Sequence, residues 1–388
     1  MHATPATPAW MDMLGGLIAQ PSISSAVPAL DQSNEGVIHL LAQWLEDLGF
    51  QVQLQELQPA PRKLNLVATL GADAADRGLI LSGHTDTVPY DPDLWTTDPF
   101  TLTEADGRLY GLGTSDMKGF LALAVEASKA WTRTRLKHPL LILATADEET
   151  SMLGGRALGE LDLPADASVL IGEPTGMTPA HLHKGIFMEG LRLTGRSGHS
   201  SDPALGNSAL EGMHEAIAAI LSWRTELQSR HQNFDFDVPT PTLNLGRIDG
   251  GDSPNRICAQ CELHLDLRFL PGMPRDELRA QLHERVSQAL SGAELKIEWL
   301  PLFEGVEAMH TPKNAAIVQA CEAWTGRPSR SVAFATEGPF FNARNLPSVI
   351  LGPGDIECAH QPNEHLRRDR IAPTLDLLHK LIGRFCAT

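Results

Sequence analysis

Apolar positions along this chain recur with two different periods. Between Trp10 and Ala19, and again at Val37, Ile38, Leu40, Leu41, Trp44, Leu45 and Leu48, they return every three to four residues. That spacing puts them on one stripe of a helix. Pro21 ends the first helix, and Gly49 is placed to cap the second. Phe50, Val52 and Leu54 alternate with polar residues, as a half-exposed strand does, and residues 64–70 read as another strand. Four further runs differ in kind. Residues 78–81, 140–146, 168–172 and 347–352 are short and almost wholly apolar. Such runs belong to strands buried on both faces, as in a parallel sheet. Helices are expected over about 120–131 and over 314–324.

Between residues 187 and 303 the pattern changes. A strand over 188–194, a helix over 209–227, strands over 242–245 and 257–269, a helix over 275–290 and a strand over 295–300 follow in turn. This β-α-β-β-α-β order is that of a ferredoxin-like sandwich. Parallel-type strands lie on both sides of it, so it reads as an insertion. The expected fold is α/β: a catalytic domain on a mixed, mostly parallel sheet, residues 1–186 and 304–388, interrupted by an inserted ferredoxin-like domain, residues 187–303.

With 388 residues, 42% of them hydrophobic and 20% charged, the chain is long enough for two packed domains and shows no low-complexity tract. A net charge of −17 disfavours nucleic acid and anionic membrane surfaces as partners. No apolar run approaches the roughly 20 residues that span a bilayer. Residues 1–10 lack the charged and apolar regions of a secretory signal, so a cytoplasmic location is expected. Five scattered cysteines do not form a disulfide framework. Cys258 and Cys261 have the spacing of half a zinc knuckle, but no second pair completes it.

The candidate chemistry lies where the buried strands end. His84 and Asp86 follow the first; in extended chain such i, i+2 side chains share a side, and a carboxylate there can orient a metal-binding imidazole. Asp147-Glu148-Glu149 follows the second, Glu173 the third, and His360 comes after the fourth. Asp116 sits in the glycine-rich run 111–119 at a helix entrance. That run lacks the last glycine of a dinucleotide loop and the Gly-Lys-Ser/Thr of a P-loop, so its small residues serve close backbone approach instead. One at a time, these acids and histidines read as solvated helix starts and surface residues. Together they converge on the sheet edge where α/β folds bind ligands. His84, Asp116, Glu148, Glu149, Glu173 and His360, with no thiolate, suit zinc, cobalt or manganese, and two ions about 3.5 Å apart would use them all. In the insert, the run 195–201 imitates a serine-hydrolase elbow, but His199 replaces its last glycine, which favours a hydrogen-bonding histidine over a serine nucleophile. Arg268, with Asn255 nearby on the strand pair, is suited to a substrate carboxylate and equally to a neighbouring Asp or Glu.

Six segments, 82–89, 111–119, 146–150, 172–175, 195–201 and 359–365, resemble in order and spacing the di-zinc amidohydrolase and peptidase family. That family takes in acetylornithine deacetylases, succinyl-diaminopimelate desuccinylases, aminoacylases and glutamate carboxypeptidases. The resemblance covers essentially the whole chain. It implies that His84, Asp116 and Glu173 hold one zinc and that Asp116, Glu149 and His360 hold the other, with cobalt able to replace zinc. It further implies Asp86 orienting His84, Glu148 as general acid/base, and the insert as a dimerisation lid whose His199 reaches the partner subunit's site. Segments 147–152, 182–185, 242–258, 335–340 and 359–362 resemble the acetylornithine deacetylase branch. The implied reaction is hydrolysis of N2-acetyl-L-ornithine by a homodimer, in arginine biosynthesis. Lys184, Asn255 and Arg268 would hold the α-carboxylate, with Thr336 and Glu337 beside the substrate side chain. Two other readings stand beside this one: a hydrolase of another N-acyl amino acid or a dipeptide, and a metal-binding protein without catalysis. Glu148, surplus as a ligand, argues against the last.

Overall fold

The computed structural model describes residues 7–71 and 77–387; residues 1–6 of the Ala/Pro/Thr-rich start lie outside them. The chain divides into two compact units, one of Met1–His181, Thr311–Arg330 and Thr336–Thr388, the other of Leu182–His310 and Ser331–Ala335. Their boundaries lie outside the expected 187–303 because the strands Gly185–Thr194 and Lys296–Val306 pair as far as Ile186 and Val306. Residues 331–335 join the second unit, where the Ser331 hydroxyl donates to the carbonyl of Asp235.

In the first unit, the strands run in the order Gln51–Pro59, Arg62–Leu70, Leu140–Thr145, Leu79–His84, Ser168–Pro174, Ser348–Gly352 and Ala180–His183. The middle four are parallel neighbours, with His84 level with Thr145 and Ile350 level with Ile171. These are the four apolar runs, and each is buried along its whole length. Because they point the same way, their carboxyl ends open on one edge. The helix Lys118–Ser128 is apolar from Phe120 to Val125 and buried almost throughout. It starts two residues earlier than the apolar pattern suggests because Lys118 and Gly119 are themselves buried. A Cβ on Gly119 would sit 2.2 Å from the Thr114 carbonyl, which explains a glycine there. Gly49, at φ +88°, ends the helix Glu35–Asp47 in the left-handed conformation a cap requires.

Several elements lacked a readable signal. The strand Ala180–His183 is fully buried yet half histidine. The small sheet of Thr103–Ala105, Arg108–Tyr110 and His365–Arg367 has strands of three residues, too short to display alternation. The C-terminal helix Ile371–Ile382 buries Leu377, Leu378, Leu381 and Ile382.

In the second unit, the strands run in the order Thr242–Gly250, Gln260–Phe269, Gly185–Thr194 and Lys296–Val306, all antiparallel. With the helices Ala209–Arg230 and Arg275–Ala289 in between, the chain order is β-α-β-β-α-β. Gln260–Phe269 alternates strictly, burying Cys261, Leu263, Leu265, Leu267 and Phe269. Met213, Ala216, Ile220, Trp223 and Leu227 of one helix and Leu278, Leu282 and Val286 of the other complete this core at three- and four-residue spacing. The strand from Thr242 continues to Gly250 because its second half is exposed and needs no apolar residues. No helix among the described residues is long and apolar enough to cross a membrane. All five cysteines are free thiols.

Trp223 is the largest fully buried side chain among the described residues. Trp223→Ala is expected to cost about 3–5 kcal/mol, read as a shift of this unit's guanidinium transition to lower denaturant. An unmoved transition would show that the indole is not part of the core.

Candidate active site

The four parallel strands deliver their polar residues to one place. His84 closes the strand Leu79–His84, and Glu173 lies at the end of Ser168–Pro174. Past Leu140–Thr145 the chain turns through Ala146, Asp147, Glu148 and Glu149, with Asp147 in the left-handed region at φ +55°. His360, on the loop after Ser348–Gly352, is also left-handed at φ +59°. Such conformations in non-glycine residues persist only where their surroundings hold them.

His84 Nε2 lies 2.9 Å from Asp116 Oδ1 and 3.9 Å from Glu173 Oε2. His360 Nε2 lies 2.8 Å from Glu149 Oε1 and 3.5 Å from Asp116 Oδ2. Asp116 therefore stands between the two histidines, one carboxylate oxygen toward each. The ligand atoms of His84, Asp116 and Glu149 lie within 4.8 Å of one another, as do those of His84, Glu148 and Glu173. The orienting role of Asp86 differs in detail from the expectation. His84 Nδ1 donates to the Asp86 backbone carbonyl at 3.1 Å, while the nearer carboxylate oxygen is 3.6 Å away. The Asp86 carboxylate instead accepts the backbone N–H groups of Glu148 and Glu149, at 3.2 and 3.1 Å. Asp86 thus fixes the ring with its main chain and the acidic turn with its side chain.

The charges in this cluster are out of balance. Burial raises Glu148 and Glu173 well above the usual carboxylate range, and neighbouring carboxylates push the same way. Glu149 is raised by burial and by Asp116. Against the burial of Asp116, the His360 and His84 imidazoles hold its carboxyl below its usual range. Burial acts to lower His84, but Asp116, Glu173 and Asp86 outweigh it and raise the imidazole. Hydrogen bonds to Asp116 and Glu149 lift His360 to about 10. Two imidazoles and four buried carboxylates that repel one another form an oxygen–nitrogen donor set that divalent cations would neutralise. The residues present fit a metal pair.

The other candidate residues are more dispersed. Thr336 and Glu337 are buried in the first unit; the Thr336 hydroxyl accepts the Gly338 N–H. Glu337 Oε2 accepts from the Thr145 hydroxyl at 2.9 Å, and its Oε1 has no hydrogen-bond partner among the described residues. Burial pushes this carboxyl up to about 7. In the second unit, Lys184 and Arg268 line a cavity of about 330 Å³ with Phe236, Asp237 and Thr242. The Lys184 ammonium donates to the Thr240 carbonyl at 2.6 Å. Arg268 pairs with its neighbour Asp266 through Nε and Nη2, at 3.0 and 3.2 Å. Of the two partners that suited Arg268, the structure places the neighbouring carboxylate on it. Asn255 does not line this cavity; it is exposed and accepts from the Ser253 hydroxyl. His199 is exposed, its Nδ1 next to the Ser201 hydroxyl and accepting the Ser201 N–H.

Glu364 escaped sequence reasoning. Its buried carboxylate accepts the N–H groups of Gly113, Ser115 and Asp116 at 2.8–3.0 Å. It thereby ties the loop carrying Asp116 to the segment carrying His360. Its place four residues after His360, inside a motif segment, was the available signal.

Comparison with known proteins gives the family of this chain. Residues 80–384 match peptidase family M20/M25/M40. An acetylornithine deacetylase from Edwardsiella ictaluri (strain 93-146) is 48% identical over 382 residues, 98% of each chain. Among solved structures, a Staphylococcus aureus tripeptidase superposes with a TM-score of 0.74 at 19% identity over 97% of both chains. An M20 family metallo-carboxypeptidase from Sulfolobus solfataricus gives 0.74 at 18% identity, over 97% of this chain and 98% of the other. These two establish likeness of fold. The chain belongs to peptidase family M20/M25/M40, and it is a metal-dependent hydrolase of amide bonds.

A metal entering this cluster must displace protons. The imidazole of His360 is raised to about 10, so at neutral pH it is protonated in the metal-free protein and blocks its own ligand atom. Apparent zinc affinity should therefore rise with pH between 6 and 8, by about tenfold per pH unit for each proton displaced. Competition titrations against a chelator at three pH values measure this. An affinity independent of pH would contradict it.

Proposed function

We propose that this member of peptidase family M20/M25/M40 hydrolyses N2-acetyl-L-ornithine to L-ornithine and acetate, at a two-zinc centre, within cytoplasmic arginine biosynthesis. The observation that carries the substrate is the full-length 48% identity to an acetylornithine deacetylase. His84, Asp116 and Glu173 would hold one zinc and Asp116, Glu149 and His360 the other, with Asp116 shared, in keeping with the distances within the cluster. Cobalt suits the same donors. Bound there, the metal pair polarises the acyl carbonyl and makes a water molecule acidic near neutrality.

Glu148 is the general acid/base. Its burial among like charges raises its affinity for a proton, as a group that must take one from water and hold it requires. It then delivers that proton to the amine nitrogen as the amide bond breaks. Asp86 keeps the Glu148 backbone in place. The substrate's α-carboxylate would meet Lys184 and Arg268, whose Nη1 makes no bond to Asp266, with Asn255 as a further donor. The unpartnered oxygen of Glu337, beside Thr336, would receive the side-chain ammonium. We assign His199 to oxyanion stabilisation across a homodimer formed through the inserted unit. Because Nδ1 accepts the Ser201 N–H, the ring proton resides on Nε2, the donor that role needs. The five thiols without a disulfide accord with a cytoplasmic location.

Zinc-loaded protein assayed on acetylornithine, acetylmethionine and succinyl-diaminopimelate should show its highest kcat/KM with acetylornithine, and chelation should abolish turnover. A clear preference for either other substrate would replace this assignment. Glu148→Gln should retain both metals while kcat falls by about 10²–10⁴; an undiminished kcat would remove Glu148 from its role.

A further inference from the structure

Behind the acidic turn lies a charged group that the reaction scheme leaves unused. Lys63, the second residue of the strand Arg62–Leu70, is 1% exposed, although lysine side chains are almost never fully buried unless paired. Its ammonium lies 2.6 Å from Asp147 Oδ1 and 2.8 Å from Asp31 Oδ1. Asn65, two residues on and on the same face of the strand, is fully buried. Its Oδ1 accepts the Ala146 N–H at 3.1 Å, and its Nδ2 donates to the Gly154 carbonyl at 3.0 Å.

These hydrogen bonds and the Lys63–Asp147 ion pair enclose the turn that carries Glu148. Ala146 is gripped before it, Asp147 at its strained position and Gly154 beyond it. The Asp147 carbonyl accepts the N–H groups of Ser151 and Met152, closing the turn on itself. From the opposite side, the Asp86 carboxylate holds the amides of Glu148 and Glu149. The left-handed conformation of Asp147 reverses the chain, so that the side chain after it enters the site instead of continuing the strand. Without Lys63, Asp147 would be a buried anion beside Asp86 with no counter-charge, and the turn would be driven apart from within.

We infer that Lys63 is a positioning residue for amide hydrolysis, acting through Asp147 to aim the Glu148 carboxylate, with Asn65 as its partner on the same strand. The inference rests on Glu148 being the general acid/base. It touches neither substrate nor metal, so its loss should appear in kcat and not in KM or metal content.

Lys63→Met alone leaves Asp147 unpaired and is liable to unfold, so the deciding protein is Lys63→Met with Asp147→Asn, in which only the partly exposed Asp31 carboxylate, still holding the Ser25 N–H, loses the ammonium. Metal content, kinetics and amide hydrogen exchange are measured on zinc-loaded protein. The double variant is expected to keep two zinc ions per chain and a KM within about twofold, while kcat falls by about 10²-fold, the usual cost of a displaced catalytic group. Exchange at the amides of Glu148 and Glu149 should quicken about tenfold, with those of Ser115 and Asp116, held by Glu364, unchanged. Kinetics use whichever acyl amino acid the unmodified protein turns over, so an error in the substrate shows as inactivity toward acetylornithine and leaves this comparison standing. If the unmodified protein turns over none of them, exchange alone decides. An unchanged kcat, unchanged exchange at Glu148 and Glu149, or a kcat loss matched by loss of zinc overturns the inference.

Discussion

Two imidazoles that lie far apart in the chain meet on one carboxylate. His84 and His360 approach opposite oxygens of Asp116, and everything else in the site is arranged around holding that meeting in place. The parallel sheet aligns His84 with the strand that leads to Glu148 and Glu149. Glu364 grips the backbone of the Asp116 loop and lies close in sequence to His360, so one short segment supplies both a histidine and the latch. The left-handed backbone of His360 turns its ring inward from a half-exposed loop. Remove the shared carboxylate, and His84 loses its 2.9 Å partner while His360 is left with Glu149.

The same arrangement explains how so many acids tolerate burial. Backbone amides are the neutral half of the answer: Asp86 takes two of them and Glu364 takes three. Fixed N–H dipoles stabilise a carboxylate without introducing another titrating group. The charged half is Lys63, which serves Asp31 and Asp147 together behind the turn. The inner set of Glu148, Glu149 and Glu173 is answered only in part, Glu149 by His360 and Glu173 by the more distant His84, and its proton affinity stays raised. Asp86 and Glu364 meet fixed dipoles, whereas Glu148 and Glu173 face other carboxylates. That division separates scaffold from chemistry more clearly than residue type does.

It also explains what could be read from the sequence. His84, Glu148, Glu149, Glu173 and His360 were legible because each follows a run so apolar that only a buried parallel strand accounts for it, and Asp116 because glycines surround it. The inserted sandwich was legible because Gln260–Phe269 alternates without a break and the helices keep their three- and four-residue spacing. Lys63 and Asn65 were hidden because a polar residue within a strand normally marks the wet face, whereas this strand is buried on both sides around them. Asp86 was legible as a support but not in its manner, since sequence spacing cannot say whether a main-chain or a side-chain oxygen reaches the ring. Arg268 shows the same limit: the neighbouring Asp266 and a substrate carboxylate offer the guanidinium the same geometry.

The latch formed by Glu364 has a consequence in time. It reaches back 248 residues to the Asp116 amide, across the whole inserted unit. Chains emerge from the ribosome amino end first, at roughly 5–20 residues per second, so Asp116 exists for on the order of 12–50 seconds before its latch is made. For most of that interval His84, Glu148 and Glu173 are present, but His360 and the carboxylate that shapes the Asp116 loop are not. The cluster around Asp116 is therefore completed late and in one step, when the short segment bearing both His360 and Glu364 is added.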